Sequence, residues 1–142
     1  MSPQTIKILT VCVLLLHGLG HGGAIGALLA IDRGVPGGKW LAAHSWLFPR
    51  LAPQAARIIA IIFWVLSLLG FVAAALSFWG FLIPGDLWRP LALIFAFISF
   101  LGITLFWGSW PMFNTLAAQA VNLAVIVTQL WLHWPPLAMF GK

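Results

Sequence analysis

The chain has 142 residues, of which 63% are apolar and 6% charged, where a soluble domain carries about a quarter charged. Its mean hydropathy of +1.08 places it in the membrane class. A net charge of +5 does not signal nucleic acid, because the basic residues lie outside the apolar stretches and are too few to track phosphates. Anionic lipid headgroups are the better match. The single Cys12 forms no internal disulfide.

A bilayer core of about 30 Å needs roughly 20 helical residues per crossing. Residues 8–31, 58–83, 91–107 and 112–132 meet or approach that length. Ahead of the first stretch, Met1 to Lys7 form a short polar lead. Lys7, the apolar run and the small residues after it share features with a secretory signal, but the stretch is read here as a retained first span. It ends at Asp32, Arg33 and Gly34. The connection to Arg57 is long and holds Gly34, Pro36, Gly37 and Gly38. Trp40, Leu41, Trp46, Leu47 and Phe48 make it too apolar for a free loop, which predicts an interfacial segment, such as a short helix, lying among the headgroups.

Pro84, Gly85 and Asp86 join the second span to the third, which Pro90 opens. Gly108, Ser109, Trp110 and Pro111 join the third to the fourth, with Ser109 as the expected N-cap. Such tight turns make antiparallel neighbours. Pro135 and Pro136 stop the last helix. The expected fold is all-α: one integral membrane domain over 1–142, a four-transmembrane-helix antiparallel bundle with an interfacial segment between helices 1 and 2. The expected location is a bacterial-type inner membrane.

Tryptophan favours the membrane–water boundary, its ring being apolar and its N–H polar. Trp79, Trp88, Trp131 and Trp134 fall at the edge near the termini, and Trp40, Trp46, Trp107 and Trp110 at the opposite edge. Trp64 lies inside a span. Arg33, Lys39, Arg50 and Arg57 on the long connection, against Lys7, Arg89 and Lys142, favour a cytoplasmic connection.

On a helical wheel Thr115, Gln119, Asn122, Gln129 and His133 share one face of the fourth span, and Thr10, His17 and His21 one face of the first. Lipid offers these groups no hydrogen-bond partner, so both stripes are expected to face the interior. Ser67 and Gly70, and Ser99 and Gly102, fall at similar depth on the middle spans. A central polar cluster on His17, His21, Ser99, Gln119 and Asn122 follows. Its plainest role is interhelical hydrogen bonding. Its alternative is a ligand or cofactor site, since ionisable residues at this depth default to functional candidates.

The i, i+4 spacing of His17 and His21 supplies half a metal site, but no third His, Cys or carboxylate lies at that depth, so no metal is expected. Two His on one turn cannot flank a haem iron, which leaves a single axial ligand or a site shared by two protomers. His44 and His133 read as boundary residues. Gly18, Gly22 and Gly26 form a GxxxGxxxG ridge for close packing on another span or on a second copy. The spans hold no Asp or Glu for a proton relay, and no nucleophile triad, phosphate loop or CxxC occurs.

The opening VCVLLLHGLGHGG, the long first connection and three further compact spans resemble the DoxX-like small four-helix membrane proteins. That resemblance implies association with quinone-linked redox complexes or an accessory-subunit role, and it carries no site residue over. The expected function is a binding or accessory subunit holding a small hydrophobic ligand at the polar cluster. The alternative is a membrane enzyme or electron-transfer subunit using His17 and His21 with a quinone or haem-type cofactor. Expected partners are membrane lipids and a second copy or larger membrane complex.

Overall fold

The computed structural model describes residues 1–32, 42–136 and 138. Among them the regular elements are four α-helices with short turns and no strand: α1 (Pro3–Asp32), α2 (Pro53–Trp79), α3 (Trp88–Leu105) and α4 (Met112–Leu130). Each is long and apolar enough to cross a membrane, and the chain is a small multi-pass membrane protein. Leu16, Leu19, Ile62, Leu69, Ile94, Phe97, Leu116 and Leu123 are exposed, as lipid-facing side chains must be.

Helix ends depart from the hydropathy boundaries for local reasons. α2 begins at Pro53 rather than 58, because proline's fixed φ and missing N–H suit a first turn. It stops at Trp79 rather than 83, where Gly80 turns left-handed at φ 84° and its N–H returns to the carbonyls of Leu76 and Ser77. α3 begins at Trp88, with Pro90 inside its first turn. Ser109 does not cap α4, whose N-cap is Pro111. Ser109 is buried instead, and its Oγ accepts the backbone N–H of His44 at 3.4 Å.

That bond belongs to the first connection. Arg33, Lys39, Trp40 and Leu41 lie outside the described residues. The described part, 42–52, holds turns and no helix. It folds back over the bundle end: Ala43 and Ser45 are buried, and Trp46 Nε1 donates to the Thr104 carbonyl at 2.6 Å.

The helices pack in chain order, α1 on α2, α2 on α3 and α3 on α4. Small residues set the close approaches. A Cβ on Gly18 of α1 would lie 3.1 Å from Phe71 Cβ and 3.2 Å from the Leu68 carbonyl oxygen of α2. Between α2 and α3 the fit is reciprocal. The Phe95 ring fills the notch at Gly70, and Phe63 fills the notch at Gly102. A Cβ on Gly22 would make ordinary contact with Leu68, and one on Gly26 would meet none of the described residues within 4 Å, so the glycine ridge is closely packed at its first member.

Two apolar clusters result. Leu14, Phe71, Phe78, Trp88, Ala92 and Val125 pack toward the end that carries the termini. Ala24, Leu28, Trp64, Ile103, Phe106 and Trp110 pack toward the other. Trp88 and Trp110 therefore correct the tryptophan reading: both sit at helix edges yet face inward, as Trp64 does. Trp46, Trp79, Trp131 and Trp134 are exposed, as boundary residues are.

Candidate functional site

Between the two apolar clusters lies a polar layer. His17 and His21 are successive-turn neighbours on α1, their rings edge to face with centroids 5.1 Å apart. Phe71 of α2 contacts both, at 4.5 Å from the His17 ring and stacked 6.4 Å from that of His21. His21 is 1% exposed and Asn122 and Ser99 are fully buried, whereas His17 is half-buried.

Hydrogen bonds tie these groups across three helices. His17 Nε2 and Asn122 Oδ1 are 2.8 Å apart. Asn122 Nδ2 donates to Ser99 Oγ at 2.9 Å and to Gln119 Oε1 at 3.2 Å. Ser99 Oγ lies 2.9 Å from His21 Nε2. Gln119 Nε2 donates to the Phe100 carbonyl at 3.2 Å and to Thr104 Oγ1 at 2.9 Å. All five residues singled out in the sequence, His17, His21, Ser99, Gln119 and Asn122, thus belong to one connected network.

The directions of the bonds from Gln119 through Asn122 to His17 follow from one backbone group. The Phe100 carbonyl only accepts, so the Gln119 amide must turn its NH₂ toward α3 and its Oε1 toward Asn122. Asn122 then presents NH₂ to Gln119 and Oδ1 to His17. His17 Nε2 must therefore carry the proton. Ser99 accepts from Asn122 and shares a second hydrogen bond with His21 Nε2, whose direction follows the tautomer of His21. Nδ1 of His21 is a buried atom with no hydrogen-bond partner among the described residues. Both Nε2 atoms are engaged, so either ring could serve as a haem ligand only by giving up a bond or through Nδ1. No group of three or more His, Cys, Asp or Glu that could hold a metal occurs among the described residues.

Other polar residues go elsewhere. Ser67 is spent on its own helix, donating to the Phe63 carbonyl at 2.7 Å. Thr115 bonds the carbonyl of Pro111 at 3.3 Å. Gln129 is buried at the end near the termini, where its Oε1 accepts from Arg89 Nε at 3.1 Å. The second arm of Arg89 donates to the carbonyls of His133, 3.0 Å, and Pro135, 3.2 Å. His133 itself is exposed, with a positive φ of 47°.

The network also lines an opening. Where α1 and α4 face each other, a furrow of about 370 Å³ is bounded by Leu16, His17, Gly20 and His21 on one side and Phe113, Asn114 and Ala117 on the other. A second stretch of about 240 Å³ runs toward the termini past Leu9, Thr10, Ala124 and Thr128. Val13 and Val121 line both stretches. No Asp, Glu, Lys or Arg side chain lines either stretch. Asn114 and Trp110, absent from the sequence-derived set, are added by this geometry. Both lie at the start of α4, where position along the chain gives no sign of the histidines, and the Trp110 ring reaches His21 with centroids 5.4 Å apart.

Comparison with protein-family models, curated proteins and solved structures yields no match.

Proposed function

We propose that this small multi-pass membrane protein is a binding or accessory subunit that takes a hydrophobic ligand sideways from the bilayer, between α1 and α4. The observation that supports this reading is the furrow itself. It is apolar along its length, opens along the outer seam of the bundle, and meets the hydrogen-bonded histidines near the middle of both helices. Its volume falls in the range of small-molecule sites, roughly 300–1,000 Å³, with few polar groups set in an apolar lining. A network serving only to join helices has no need of a histidine on the wall of an open groove.

The test is native mass spectrometry of the full chain extracted with its surrounding lipid. The wild type is expected to retain a lipophilic adduct, and Val121→Trp, which fills the furrow where its two stretches meet, is expected to lose it. Equal adduct occupancy in both proteins would count against the reading.

A further inference from the structure

We infer that the furrow selects an uncharged lipid bearing a hydroxyl group, which donates its proton to Nδ1 of His17. This deepens the proposed function and rests on it.

The stretch that His17 and His21 line carries no acidic or basic group among the described residues, so a phosphate or carboxylate seated beside them would have no counter-charge. Leaving such a charge unpaired in a water-poor site is costly. The ligand's polar group is therefore neutral.

Its hydrogen-bonding sense comes from the network. The Phe100 carbonyl fixes Gln119, Gln119 fixes Asn122, and Asn122 makes Nε2 the protonated nitrogen of His17. In the neutral ring Nδ1 then holds a lone pair and can only accept. It makes no hydrogen bond to any described residue, since the single bond of His17 runs through Nε2. A ketone, ester or ether offers that lone pair nothing, because each of them also only accepts. A hydroxyl donates.

A second feature points to the same chemistry. His21 lines the same furrow, is 1% exposed, and keeps a buried Nδ1 with no partner among the described residues. Buried groups left unpaired in this way call for an explanation. The Nδ1 atoms of both histidines thus lack a partner, and a hydroxyl, which donates and accepts, can serve His17 as donor and His21 in either sense.

Aliphatic alcohols and phenols share this chemistry, and the experiment separates them. The purified full chain is titrated in detergent with hexadecanol, its methyl ether, palmitic acid and a long-chain alkylphenol, and one-to-one adducts are counted by native mass spectrometry. The expected result is that the alcohol or the phenol binds about tenfold more tightly than the ether and the acid, the scale of one membrane-buried hydrogen bond. His17→Phe keeps a ring on the furrow wall but removes the acceptor, and is expected to bring the alcohol down to the level of the ether. In solid-state ¹⁵N spectra the unprotonated nitrogen of His17 is expected to shift when alcohol is added and to stay put with ether.

Equal binding of alcohol and ether by the wild type overturns the hydroxyl preference while leaving the furrow as a ligand site. Absence of all four adducts overturns both, as does a homodimer that excludes them. The comparison of alcohol with ether needs no variant, so it holds even where His17→Phe fails to fold.

Discussion

His17 Nε2 and Asn122 Oδ1 meet at 2.8 Å across a seam that the backbones of α1 and α4 leave open. Side chains, not close helix packing, join the first span to the last. Asn122 carries more of that task than His17, since it also bonds Ser99 and Gln119. Asn122→Ala is expected to destabilise the bundle by about 2–3 kcal/mol, and His17→Ala by about 1 kcal/mol. Reversible unfolding in mixed micelles measures both. Equal losses would show that the network is not centred on the asparagine.

Gly70 and Phe95 make a sharper steric test. A Cβ at position 70 would overlap the Phe95 ring, so Gly70→Ala should cost about 1–3 kcal/mol through overpacking. Phe95→Leu in the same chain should recover part of the loss. Gly26→Ala, where nothing lies within 4 Å, should be neutral or slightly stabilising. The three variants are compared by thermal melting in one detergent. A Gly26 substitution as damaging as that at Gly70 would contradict the helix packing described.

Arg89 holds the ends of α3 and α4 together through Gln129 and two backbone carbonyls. Arg89→Met should expose the segment after α4 to faster amide exchange and proteolysis while the mid-membrane helices stay protected. Arg89→Lys should not restore it, because a point charge cannot reach three oxygens as a planar fork does. Full rescue by lysine would reduce the interaction to charge alone.

Trp46 fastens the first connection to α3 by its bond to the Thr104 carbonyl. Trp46→Phe keeps the ring and removes the donor. Amide exchange in 42–52 should rise several-fold, reflecting about 1 kcal/mol of lost anchoring, with little change in global stability. Unchanged exchange would mean that the buried Ala43 and Ser45 suffice to hold the segment.

Much of the fold was legible before any coordinate, because lipid as solvent leaves few choices. Four apolar stretches imply four helices, and equal depth of His17, Ser99 and Asn122 implies that they can meet. Depth is readable from position along a span, but azimuth is not. Trp88 and Trp110 illustrate this: their places at helix ends suggested headgroups, yet each points into the bundle because its neighbours α2 and α4 need filling there. Ser67 had the right depth and still lies outside the network, since its own helix offers a nearer acceptor at the Phe63 carbonyl. The furrow was equally hidden. It arises from the gap between the first and last spans, which a wheel drawn for each helix separately does not contain.

The helices also differ in length. With 30 residues, α1 is about 45 Å long, while the 18 of α3 reach about 27 Å. A hydrocarbon slab near 30 Å thick fits the shorter pair closely and obliges the longer pair to lean or protrude. The seam of His17 and Asn122 joins one helix of each kind, α1 of the longer pair and α4 of the shorter. A change in membrane thickness is therefore expected to change the tilt of α1 against α4, and with it the width of this entrance.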